Sequence, residues 1–244
     1  MAGMLIRRLH PWKVSPARAR QIQQDLRRRL RLEDDVGVIT RIAGADVGPV
    51  HGSGRLRAAV AVFSFPQLEV LETRIATAKA NFPYVPGLLS FRELPVLARA
   101  FRKLQCPPDL VLCDGQGQAH PRRMGLASHL GLLLDIPTIG VAKSKLTGSH
   151  GPLPWEKGSW VPLLDNHEVI GAVLRSRNGV QPLYISPGHR ISLEKSIDCV
   201  MACLGRYRLP ETTRLADWLA SDRGRSKQHP KKPGLQRPSP PATL

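Results

Sequence analysis

Three acidic residues stand where they could work on a phosphate. Asp46 closes the run RIAGAD and Asp114 closes DLVLCD, each directly after an apolar segment with the look of a buried strand. A carboxylate placed there is costly unless it is solvated or paired. A turn cap is one use for an Asp before Gly. Two such acids on neighbouring strands have a second use, because Mg²⁺ binds through one or two carboxylates together with water and phosphate oxygens. Glu93 is the third acid. Ser90 and Glu93 have the spacing of a capping box, but Pro95 would then sit where a helix needs its N–H. A helix over 94–104 removes that conflict and leaves the Glu93 carboxylate free.

Basic and neutral groups surround these acids in sequence. Lys143 follows TIGVA, at the same expected sheet edge, where an ammonium would offset charge building on a phosphate. His120, in DGQGQAHPRRMG, precedes an expected helix over 120–134 with Arg122 and Arg123 in its first turn. Cations there oppose the helix dipole unless an anion binds; a His cap with two solvated arginines is the plainer alternative. His189, in YISPGHR, gains a role only if the fold carries it to the acids.

The elements that must position these groups follow from pattern. Ser15-Pro16 starts a helix in which Ile22, Leu26 and Leu30 share a face. Residues 38–47, 56–65 and 69–77 read as strands with short connections, hence an antiparallel meander. Residues 109–113 and 138–142 are short buried strands. Three more strands follow over 160–164, 169–175 and 181–185, then a last helix over 192–206. The order describes an α/β domain with a central mixed β-sheet flanked by helices. In such sheets ligands gather at the carboxyl ends of strands.

Composition narrows the partners. The 244 residues carry 36 Lys and Arg against 19 Asp and Glu, a net charge of +17. That excess favours a polyanion, because a basic surface releases the counterions condensed on phosphates. Residues 222–244 form a basic, Pro-rich tail expected to be disordered, but 1–221 still hold +12. Four cysteines lack metal-type spacing and read as reduced thiols. No apolar run approaches a membrane span and no GxxxxGK[ST] loop occurs. A soluble, cytoplasmic, monomeric protein without a nucleotide cofactor is expected.

Five segments, IAGAD, PYVPGLLSFRE, DLVLCDGQGQAHPRRMGLASHLG, PTIGVAKSKL and YISPGHRIS, resemble in order and spacing the signatures of the endonuclease V family. The resemblance runs over about residues 15–220 and implies a ribonuclease H-like fold. It implies a Mg²⁺-dependent endonuclease, with Mn²⁺ able to substitute, that hydrolyses the second phosphodiester bond 3′ to deoxyinosine and leaves 3′-hydroxyl and 5′-phosphate ends. By the same resemblance, Asp46 and Asp114 hold the metal, and Glu93, Lys143 and His189 complete the catalytic group. Tyr84 is the wedge that fills the gap left by an extruded base, and His120 lies near the lesion. Gly87, Leu89, Gly115, Leu126, Gly140 and Leu146 line the hypoxanthine pocket. The partner is deoxyinosine-containing DNA; inosine-containing RNA, or a protein that reads modified nucleic acid without cutting it, are the alternatives.

Overall fold

A computed structural model describes residues 4–221; the basic tail expected over 222–244 lies outside the described residues. Helix α1 (Pro16–Arg27) opens as its sequence directs, with the Ser15 hydroxyl accepting from the Arg18 N–H at 3.2 Å and Ala19, Ile22, Gln23 and Leu26 turned inward. Strands β1 (Arg41–Val50), β2 (Arg55–Ser64) and β3 (Val70–Lys79) form the expected meander. Helix α2 (Leu89–Phe101), β4 (Leu110–Cys113), α3 (Leu126–Leu134) and β5 (Thr138–Ala142) follow. Then come β6 (Trp160–Asp165), β7 (Glu168–Leu174), β8 (Leu183–His189), α4 (Leu193–Ala202) and α5 (Glu211–Ala220).

Among the described residues eight strands join one sheet in the order β3-β2-β1-β4-β5-β8-β7-β6. Strands β1, β4 and β5 run parallel at its centre, and antiparallel strands close both flanks. Side chains alternate between its two faces. Ala43, Ala45, Val111 and Cys113 pack against α2 and α3. Ile42, Leu110, Leu112, Ile139 and Val141 face the side covered by α4 and α5. Among the described residues no helix is long and apolar enough to cross a membrane.

Three local expectations are corrected. Helix α2 begins at Leu89 rather than 94 and carries Pro95 inside it. An interior proline costs about 3 kcal/mol, but burying Phe91, Leu94, Leu97 and Phe101 is worth ~1.5–3 kcal/mol each, so tertiary packing wins. Residues 116–125 are not helical, and α3 starts only at Leu126. The Gly125 N–H donates to the Gly117 carbonyl at 3.0 Å, and a Cβ on Gly125 would lie 2.2 Å from the Gln116 oxygen. That backbone contact folds the segment into a loop. Finally, the chain after 206 was not expected to be helical, yet α5 packs across β1 and β2.

Candidate active site

The alternation along the strands decides where the acids go. Asp46 continues the series of Ile42 on β1, Asp114 that of Leu110 and Leu112 on β4, and Lys143 that of Ile139 and Val141 on β5. All three therefore reach the carboxyl edge of the parallel strands on the α5 face. Helix α5 comes close because β1 has no side chain at two crossing points. A Cβ on Gly44 would lie 2.0 Å from the Thr212 oxygen, and one on Gly48 2.8 Å from the Ala220 oxygen. This approach delivers a residue missed in the sequence, Asp217. Asp46, Asp114 and Asp217 each offer a carboxylate oxygen, and the three oxygens lie within 4.8 Å of one another.

Glu93 enters the same recess from α2, so four carboxylates and the Lys143 ammonium line it. The Lys143 Nζ pairs with Asp114 and lies 2.7 Å from the Asp217 Oδ1. Burial works against the ammonium, but these two ion pairs outweigh it and hold its pKa above the ordinary lysine value. One ammonium does not balance four acids. Burial and then repulsion from Asp114 push Asp46 up to about 7, and burial, Asp46 and Asp114 push Glu93 up to about 8. Asp114 is raised too, by burial first, against the pull of Lys143. Clustered hard oxygen donors with surplus negative charge fit a divalent cation.

A second recess adjoins the first and shares Leu89 as a wall. It has a volume of about 130 Å³ and is lined by Tyr84, Gly87, Leu89, His120, Leu126 and Leu146, with Gln23, Ser90 and Gln116. Tyr84 is 72% exposed at its mouth. Gly87 has φ +75°, and a Cβ there would meet the Arg122 guanidinium at 2.7 Å. The Gly87 carbonyl accepts from Gln23 Nε2 (3.0 Å), His120 Nε2 (3.0 Å) and Arg122 Nη2 (2.7 Å). The Arg122 N–H donates to His120 Nδ1 at 3.1 Å, so the proton of a neutral imidazole belongs on Nε2. Burial, reinforced by Arg122, lowers the His120 pKa to about 4.

The structure thus brings together Asp46, Glu93, Asp114 and Lys143, and beside them Tyr84, Gly87, Leu89, His120, Leu126 and Leu146. Gly115 and Gly140 are not on the wall of the second recess. A Cβ on Gly140 would be 2.3 Å from the Gly117 nitrogen, and one on Gly115 3.3 Å from Leu126. His189 does not join the acids. It ends β8, which runs antiparallel to β5, and pairs with Thr138 at the opposite edge of the sheet. There its Nδ1 accepts from the Arg31 N–H at 3.3 Å and its Nε2 lies 3.8 Å from Asp135. The arginines of HPRRMG have protein partners: Arg123 binds Asp165 and Glu168, each at 2.8 Å, and Arg122 bonds Gln23 Oε1 at 2.6 Å. Gln23, only 1% exposed, was also missed, although a glutamine among Ile22 and Leu26 on an apolar face was the available signal.

A family model described as Endonuclease V matches residues 24–218. The endonuclease V of Rippkaea orientalis is 56% identical over 206 residues, 84% of this chain and 90% of that one. The endonuclease V of Nostoc sp. is 54% identical over 221 residues, 90% of this chain and 100% of that one. Among solved structures, the endonuclease V of Streptomyces avermitilis superposes with a TM-score of 0.83 at 40% identity, covering 91% of this chain and 98% of its own. The Ciona intestinalis endonuclease V, solved with DNA containing an inosine followed by a ribo-adenosine, gives a TM-score of 0.74 at 25% identity, covering 86% and 98%. The mixed sheet and its helices are an α/β, ribonuclease H-like fold. On the match over most of its length and on these relatives, the chain belongs to the endonuclease V family of nucleases.

Proposed function

We propose that this nuclease is a DNA repair endonuclease that hydrolyses the second phosphodiester bond 3′ to deoxyinosine, leaving 3′-hydroxyl and 5′-phosphate ends. The observation that carries this reading is the shared wall at Leu89, which sets a recess suited to an extruded base beside the acid cluster. Asp46, Asp114 and Asp217 would hold Mg²⁺, or Mn²⁺ in its place. When bound, a divalent cation would supply Lewis-acid polarisation of the phosphate and activation of water.

The chain's own groups do the rest. Lys143, already oriented by Asp114 and Asp217, neutralises charge on the phosphate oxygens. The Glu93 carboxylate accepts a proton from the attacking water once the local negative charge is offset. Tyr84 fills the place of the extruded base in the stack. His120, Gln23 and Arg122 fix the Gly87 carbonyl at the recess, so the base meets a wall that does not have to reorganise. His189 takes no part at the acids.

The direct test incubates the purified protein with an end-labelled strand bearing one deoxyinosine, with and without Mg²⁺, and maps the break to the nucleotide. Absence of a metal-dependent break near the inosine would overturn the reading. Because the Ciona protein was solved on an inosine followed by a ribo-adenosine, a second strand carries ribose at the cut position. Exclusive cleavage of that strand would make RNA the substrate.

A further inference from the structure

Two aromatic side chains stand out most from the described surface, Tyr84 at 72% exposed and Trp155 at 68%. Tyr84 belongs to the base recess. Trp155 lies in the loop between β5 and β6, lining a third recess that the reaction above does not use. Beneath its ring sits Arg175, with Cζ 5.0 Å from the centroid. That guanidinium is almost fully buried and is held by the carbonyls of Pro154 (3.0 Å), Leu153 (3.4 Å) and Val180. None of these partners is anionic, and among the described residues no carboxylate pairs with this guanidinium. Across the recess His150 meets Tyr184 edge to face, with centroids 6.2 Å apart. Among the described residues no carboxylate lines the recess.

The location matters as much as the composition. Tyr184 pairs with Ala142, the residue before Lys143, and with Val173 on β7. The recess therefore opens at the same sheet edge as Asp114. Arg208 joins the two places: its Nη2 donates to the Lys143 and Pro182 carbonyls, each at 2.7 Å. Arg208 thus lies between Lys143 and the recess wall at Pro182. Aromatic faces beside cationic side chains are the combination that holds unpaired bases and their backbone without regard to sequence.

We propose that the Trp155–Arg175 recess is a second docking surface for the nucleic-acid substrate, on which an unpaired base outside the cut stacks against the Trp155 ring. The proposal rests on the chain acting on nucleic-acid strands but uses none of the residues assigned to cutting. Binding is measured by fluorescence anisotropy on the full chain without metal, so that cleavage does not enter. The probes are an inosine strand with arms of about ten nucleotides, the same strand with its arms cut back to the lesion and cut site, and a long strand without inosine.

Trp155→Ala is expected to weaken both long strands about tenfold, to leave the short strand unchanged, and to leave the melting temperature and the saturated cleavage rate as in the parent. Trp155→Phe should restore most of the affinity. Equal affinity of Trp155→Ala and the parent for the long strands would overturn the proposal, and so would equal weakening on the short strand. A chain that fails to cut inosine yet still loses long-strand binding on Trp155→Ala would sink the cleavage reading and leave this surface standing.

Discussion

Lys143 and Asp217 meet Nζ to Oδ1 at 2.7 Å, though 74 residues separate them in sequence. That contact joins the last helix to the centre of the sheet, and it makes Asp217 the residue whose loss is most informative. Asp217→Asn removes one oxygen charge from the acid cluster and loosens Lys143 together. Cleavage should fall by at least the roughly 10–100-fold seen when groups around a metal are altered, and Mg²⁺ titration of the rate should shift to higher concentration. An unchanged Mg²⁺ dependence would remove Asp217 from the site.

Asp114→Ala should abolish cutting while preserving binding to inosine DNA, since the base recess does not contain Asp114. Tyr84→Ala should do the reverse. Loss of one stacked ring is typically worth ~1–3 kcal/mol, and it should appear in binding to the lesion more than in the saturated rate. Anisotropy and single-turnover cleavage on the same strand separate the two.

The acid cluster makes metal binding depend on pH. Burial raises Glu93 from 4.5 to about 8 and Asp46 to about 7. The metal-free folded chain therefore holds protons that the unfolded chain has released, so this share of stability is full below the ordinary carboxylate range and lost as pH rises toward about 8. A cation needs those carboxylates deprotonated. The rise in melting temperature on adding Mg²⁺ should be larger above pH 8 than near pH 6, and Glu93→Gln should stabilise the metal-free protein at the higher pH by about 1–2 kcal/mol.

Acid should unfold the protein through other groups. Burial lowers His120 and His189 to about 4 and holds His129 well below its ordinary 6.5. Here the unfolded chain takes up protons that the folded one refuses. Stability is full above 6.5 and is lost as pH falls toward about 4, by ~1–3 kcal/mol for each histidine. His189→Asn should flatten that loss in a pH series of melting curves and leave cleavage at neutral pH intact. A cleavage defect larger than about tenfold in a folded His189→Asn protein would restore His189 to the chemistry.

Gly44→Ala tests the approach of α5. The new methyl would collide with backbone at Thr212, which cannot swing aside as a side chain would, so a loss of about 1–3 kcal/mol is expected. Cleavage should fall further than stability alone explains, because Asp217 moves with α5. Denaturant melts together with activity measured well below the transition distinguish the two effects.

What could be read from the residues depended on how local the cause was. Asp46 and Asp114 were legible because each ends an apolar run whose alternation fixes the side it faces. Lys143 was legible for the same reason. Asp217 was not, since an acid in the middle of an ordinary amphipathic helix carries no mark of the strand it will meet. His189 was set with the acids only by the family resemblance; its residues alone gave it no role unless the fold carried it there, and the antiparallel course of β8 carries it to the far edge instead. The helix expected from His120 failed because Pro121 is a valid local signal, while the Gly117–Gly125 contact that overrides it belongs to the folded loop.

The crossing of α5 over Gly44 and Gly48 has a consequence during synthesis. Strand β1 and its aspartate are synthesised well before the carboxylate that completes the acid cluster, which comes more than 160 residues later. On the proposed assignment, a nascent or prematurely terminated chain that already builds the sheet would still lack the third carboxylate of that cluster. Nuclease activity would then be expected only once Asp217 has been made.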